Sequence, residues 1–243
     1  MDLHGARLTW LGHSTFRIDT DSGKTILIDP WVMGNPMCPK ASQKFEKIDL
    51  MLCTHGHYDH IGDAVQIGKH YSPKVIGIFE LCNWLERKGV KNTNPMNKGG
   101  SQTIDDVRIT MVHADHSCGI LEEDGSIVYG GEACGFVLEF ESGLKLYHAG
   151  DTNVFGDMQI IRELYSPEIV MLPIGDLFTM SPREASYACN LLHPKAVIPM
   201  HFGTFPPLTG RPQELSRVAQ ELGFEVVEMI PGQSVGDERL VSR

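Results

Sequence analysis

The stretch Thr54-His55-Gly56-His57-Tyr58-Asp59-His60 constrains this chain more than any other. It packs three of the chain's 11 histidines and a carboxylate into seven of 243 positions. It begins where an apolar run, Ile48-Asp49-Leu50-Met51-Leu52-Cys53, ends. Such a run reads as a strand buried on both faces, as in a parallel sheet. Ligands of layered α/β proteins gather at strand ends, where a loop presents polar groups without disturbing the core. A loop also lets the four side chains point in different directions. His55 and His57 can grip one cation while Asp59 and His60 turn toward a second. Imidazole and carboxylate are the ligand set of first-row divalent metals. An isolated His-x-His is more often a plain surface turn, but His-x-His-x-Asp-His at the end of an apolar strand is not.

The rest of the chain alternates strands and helices. Strands are expected at RLTWL, STFRID and KTILID near the N-terminus, split by the turn signals GH and DSG. After the heptad come a helix over 60–71, a strand at VIGI and a helix at ELCNWLERKG stopped by Gly89. VRITMVHA, GFVLEF and LKLYHAG read as strands. Beyond Asp151 a helix near 156–164, the strand EIVMLPIG, a helix over 182–192, the strand AVIPMH, a helix over 212–222 and the strand FEVVEM follow. Ser181, Pro182 and Glu184 supply an N-cap, a first-turn proline and a capping box for the 182–192 helix. The pattern is an α/β layered domain.

Other strand ends offer the ligands that the heptad lacks. VRITMVHADHS ends in His113 and His116, LKLYHAGD in His148 and Asp151, and AVIPMHFG in His201. All could converge on one rim. His-x-His-x-Asp-His followed by a histidine, an aspartate and a histidine resembles the metallo-β-lactamase superfamily, from Leu8 to about Gly203. WLGHSTFRI, ILIDPW, THGHYDHIGD, HAGDT, LPIG and PMHFGTF resemble most its branch of uncharacterised metal-dependent hydrolases related to ascorbate-phosphate lactonases. The resemblance implies an αββα sandwich in which residues 1–243 form a single domain of two similar halves. It implies that His55, His57 and His116 hold one metal, that Asp59, His60 and His201 hold the other, and that Asp151 bridges. It favours His116 over His113, because the family histidine belongs to an HS pair just past the strand. His113 then packs or supports. His13, in a GHS turn, is placed near the pocket with substrate contact open to it. His148 is expected to make a structural hydrogen bond, and Asp176 to orient a ligand histidine.

This ligand set implies hydrolysis of an ester, lactone or phosphodiester. Two divalent ions sharing a water lower its pKa toward about 7 and stabilise the oxyanion that forms. Asp59 is the expected catalytic residue, holding a metal and moving a proton. No cysteine sits in a setting that marks a nucleophile. Without a thiolate ligand the expected ions are one or two zincs per chain, with manganese next and iron or nickel also suited. Two other classes compete. A redox enzyme on the same scaffold would carry an acidic residue where His57 stands in its di-iron form. A structural metal site would be closed, whereas seven ligands shared by two ions leave room for water. A net charge of −10 speaks against nucleic-acid binding. Six scattered cysteines and the lack of a long apolar run suit a cytoplasmic protein that touches no membrane. A small-molecule substrate is expected, an anionic one if Lys40, Lys44 or Arg211 meets it; a homo-oligomer is open.

Overall fold

The computed structural model describes residues 2–236, which fall into two units. One comprises residues up to 97, 117–132 and those from 230; the other comprises 98–116 and 133–229. The first unit opens with strands β1 (Arg7–Gly12), β2 (Thr15–Asp19), β3 (Thr25–Ile28) and β4 (Leu50–Leu52). Helices α1 (Tyr58–Ile61) and α2 (Ala64–Tyr71), strand β5 (Lys74–Ile78), α3 (Phe79–Arg87) and β6 (Thr93–Met96) follow. The second unit begins with β7 (Ser101–Ile104) and β8 (Val107–His113). The hairpin β9 (Gly119–Leu121) and β10 (Ile127–Tyr129) returns to the first unit. The second then resumes with β11 (Cys134–Phe140), β12 (Lys145–His148), α4 (Met158–Tyr165) and β13 (Ile169–Pro173). It is completed by α5 (Pro182–Leu192), β14 (Ala196–Met200), α6 (Pro212–Leu222) and β15 (Glu225–Val226), whereas β16 (Ser234–Gly236) belongs to the first.

Each unit is built on a seven-stranded sheet, in the order β16-β1-β2-β3-β4-β5-β6 in the first and β7-β8-β11-β12-β13-β14-β15 in the second. The pairings run alike in both: three antiparallel, then three parallel. Because β1 and β3 both oppose β2, they point the same way, and β4 and β5 follow β3. The chain therefore leaves β1, β3, β4 and β5 at one edge of the first sheet. By the same logic it leaves β8, β12, β13 and β14 at one edge of the second.

Burial follows the sequence pattern. All five residues of β13 and of β14 are buried, as parallel strands require. Helix α5 buries Ala185, Ala188, Cys189 and Leu192, a stripe at helical spacing. Its capping box is formed, with Ser181 Oγ accepting from Glu184 N and Ser181 N donating to Glu184 Oε2 at 2.8 Å. That cap contributes about 0.5–2 kcal/mol. Three expectations need correction. The helix over 60–71 is two helices, broken at Gly62 and Asp63, because Asp63 turns its carboxylate to the amides of Val32 (2.5 Å) and Met33 (2.7 Å). FEVVEM shortens to the two-residue β15. Strands β6, β7, β9, β10 and β16 add to those expected.

Candidate metal centre

In the first unit the heptad occupies the loop after β4 and the first turn of α1. His57 is the residue before α1, and Asp59 and His60 lie inside it. Gly56 is required by a close approach: a Cβ there would stand 2.5 Å from Ile120 Cγ1. His55 Nε2 lies 3.0 Å from His57 Nδ1, and the His55 and His60 ring centroids are 4.0 Å apart. His57 turns its other nitrogen, Nε2, to Ser117 Oγ at 3.3 Å. The donor atoms of Asp59, His60 and His13 all lie within 4.8 Å of one another. His55, His60 and His13 are fully buried.

Asp29, at the end of β3, organises this cluster. Its Oδ2 stands 2.7 Å from His60 Nδ1 and accepts from Thr54 Oγ1 at 2.8 Å, while Oδ1 accepts from Thr54 N at 2.8 Å. Thr54 Oγ1 in turn lies 3.0 Å from His55 Nδ1. A carboxylate behind a histidine fixes the ring's tautomer and directs the opposite nitrogen outward. Asp29 was missing from the sequence-derived site. The signal was available, since ILIDPW ends a strand in aspartate as LKLYHAGD does.

In the second unit Asp151 Oδ2 lies 2.9 Å from His201 Nε2 and 3.7 Å from His116 Nε2. Asp151 and His201 are buried, and His116 is 14% exposed at its side chain. His201 follows β14 directly with φ of +54°, and its carbonyl packs so closely on Gly175 that no Cβ fits there. His13 and Asp29 share this left-handed backbone, at φ of +56° and +50°. Three site residues in sparsely populated conformations mark places where surrounding structure overrides local preference.

The remaining candidates separate cleanly. His113 is exposed, 3.3 Å from Lys98 Nζ and edge-on to Phe155, so His116 is the member of the pair beside Asp151. His148 is buried and accepts from Gly150 N at 3.1 Å, the structural bond expected of it. Asp176 is exposed and accepts from Leu177 N in its own turn, which corrects its assignment as a histidine orienter. Arg211 Nη1 donates to the carbonyls of Leu208, Thr209 and Gly210 within its own loop. All six cysteines are buried and unpaired in disulfides. Burial pushes Cys38 up to about 11 and Cys82 up to about 12, which leaves neither thiol nucleophilic at neutral pH.

The donor chemistry fits a transition metal. Two ligand atoms bound to one ion at about 2.0–2.2 Å stand roughly 2.8–3.6 Å apart, from right-angled to tetrahedral geometry. The His55–His57 and Asp151–His201 separations of 3.0 and 2.9 Å lie at that spacing. Residues 7–201 match the Beta-lactamase superfamily domain. A UPF0173 metal-dependent hydrolase of Koribacter versatilis is 60% identical, covering 96% of this chain and 99% of its own. Another, of Solibacter usitatus, is 54% identical over 94% of this chain and 98% of its own. A solved structure described as Igni18, a metallo hydrolase from the archaeon Ignicoccus hospitalis, superposes with a TM-score of 0.82 at 36% identity, covering 95% and 97% of the two chains. Fold and donor clusters together are those of the metal-dependent hydrolases. The chain belongs to the β-lactamase superfamily and, within it, to the UPF0173 metal-dependent hydrolase family.

Proposed function

We propose that this enzyme hydrolyses an ester, lactone or phosphodiester bond of a small molecule with two divalent ions, zinc first among the candidates. On this reading His55, His57 and His116 would hold one ion, Asp59, His60 and His201 would hold the other, and both would share Asp151. The observation that supports this most directly is the single carboxylate oxygen of Asp151, 2.9 Å from one of these histidines and 3.7 Å from another. One oxygen beside two imidazoles assigned to different ions is what a bridging ligand needs. When bound, the ions supply Lewis acidity and a water of lowered pKa.

The chain's own residues do the rest. Asp29 holds the His60 ring so that Nε2 faces away from it. Thr54 does the same for His55, and Ser117 for His57, which leaves His57 Nδ1 as its ligand atom. The Asp59 side chain is 18% exposed, so its carboxylate is open to solvent for taking up and releasing a proton. Lys40 and Lys44, both exposed in the segment between β3 and β4, are the cations offered to an anionic substrate. A cytoplasmic setting suits six cysteines that form no disulfide, and among the described residues no helix is long and apolar enough to cross a membrane. The test is a screen of protein loaded with zinc or manganese against lactones, thioesters and phosphodiesters, with chelator-stripped protein alongside. Turnover that requires metal supports the reading; metal-independent turnover, or none on any class, overturns it.

A further inference from the structure

His13 is the histidine whose place the function above does not explain. It follows β1 with its side chain fully buried, and its backbone sits in the left-handed region at φ of +56°. The fold holds it there from three sides. Trp10 Nε1 donates to its carbonyl at 2.9 Å. The Trp31 ring packs edge-on at 5.2 Å, and the His60 ring stands 5.5 Å away. Nε2 lies 3.1 Å from Asp59 Oδ2.

Each simpler role leaves part of this unexplained. A packing residue has no use for two ring nitrogens at a buried, strained position, where an apolar side chain costs less. A substrate contact needs solvent access, which this ring lacks. Asp59 gives the ring a use: it lies on the four-residue α1, and its Oδ2 stands within hydrogen-bond reach of Nε2.

We propose that His13 is a positioning residue, donating its Nε2 proton to Asp59 Oδ2 and so fixing the plane in which that carboxylate meets the second metal ion. This rests on Asp59 being a ligand of that ion, as proposed above. The pairing mirrors Asp29 and His60 next to it: there a carboxylate orients a ligand histidine, here a histidine orients a ligand carboxylate. Both heptad ligands of the second ion are thereby held by residues from the first thirty of the chain, before the heptad itself.

Removing such a partner costs about 10–100-fold in metal affinity. The experiment uses full-length wild type, His13→Ala, His13→Gln and Asp59→Asn, each stripped, reloaded with zinc and dialysed against graded chelator. Bound metal is counted by mass spectrometry, and melting of each metal-free protein is recorded in parallel. His13→Ala should lose second-ion affinity by about 10–100-fold and keep the first ion. His13→Gln, whose amide nitrogen can donate to the same oxygen, should recover most of it. In the Asp59→Asn background His13→Ala should change nothing further. Unchanged second-ion affinity in His13→Ala overturns the proposal. So does a His13→Gln protein that melts normally but loses the ion as completely as Asp59→Asn, which would make His13 a ligand in its own right. Should His13→Ala not fold, His13→Phe, which keeps a ring but has no donor, takes its place in the same comparison. A wild type that takes up only one ion overturns the two-metal function itself, a result seen before any variant is compared.

Discussion

Asp29 and His60 form a fully buried carboxylate–imidazole pair, Oδ2 to Nδ1 at 2.7 Å, with both side chains sealed from solvent. The same carboxylate takes two bonds from Thr54, so it joins the ends of β3 and β4 while it sets the ring. A group with these partners serves stability and metal binding at once.

Asp29→Ala should therefore lose both. It leaves the Thr54 amide and hydroxyl and the His60 ring without their acceptor, at about 1–3 kcal/mol for each buried group stranded. Urea unfolding of the metal-free protein should show a loss of at least that size. Asp29→Asn keeps an acceptor for Thr54 and should recover part of the stability but not the second metal equivalent. Metal analysis that finds both ions in Asp29→Asn would refute the orienting role.

Asp59→Asn separates chemistry from fold. The change keeps size and removes charge and basicity. Metal content should fall toward one equivalent, and turnover should drop about 10²–10⁴-fold, with the melting temperature of the metal-free protein unchanged. Asp63, four positions on, looks from sequence like a neutral control. It is not one: its carboxylate accepts from the backbone of Val32 and Met33, so Asp63→Asn should destabilise the chain. Exposed Glu123, replaced by Gln, is the sound control.

The two histidines past β8 should part company. His116→Ala should lose a metal equivalent, because its ring stands 3.7 Å from Asp151. His113→Ala removes an exposed ring beside Lys98 and should alter neither metal content nor rate. Equal losses from the two would show the assignment to be wrong.

The buried thiols predict a pH dependence. In the folded chain Cys38 titrates near 11, raised by burial and then by Asp63; Cys82 titrates near 12, raised chiefly by burial. Once unfolded, both return to 9.0. Folding thus favours the protonated thiols, and their contribution is complete below pH 9. It is lost as pH rises from there toward 11 and 12, because the unfolded state sheds protons first. Urea midpoints measured between pH 8 and about 11 should fall more steeply for wild type than for a Cys38→Ser/Cys82→Ala variant. At pH 8 the folded protein should resist alkylation at both positions. Rapid labelling there would contradict the burial.

What sequence made legible followed distance along the chain. The helix Pro182–Leu192 carries its own start signals, Ser181 and Glu184, so its bounds were readable to the residue. The heptad was readable because four donors lie within seven positions of the end of an apolar run. Asp29 escaped because its partner His60 is 31 residues away and no local pattern joins them. The break at Gly62 was hidden for the same reason, since Asp63 answers to backbone 29–31 residues upstream. Strand β16 pairs with β1 across almost the whole chain, and a three-residue strand has no period to read. Strand β6 contains Pro95, which argues against a strand until one sees that it lies at the sheet edge, where a missing donor does no harm.

The shared order of pairings in the two sheets sets which residue types stand at matching places. Strands β1 and β8 hold corresponding places, and so do β3 and β12. Histidines follow the first two, His13 and His116; aspartates follow the second two, Asp29 and Asp151. Equivalent places in the two sheets thus carry the same residue types in different employment. One aspartate grips a histidine from behind, and the other lies beside two imidazole nitrogens. One histidine braces a carboxylate in the dark, and the other stays near the surface. A chain that presents the same residue types at matching ends of two sheets can use one set for holding and the other for binding.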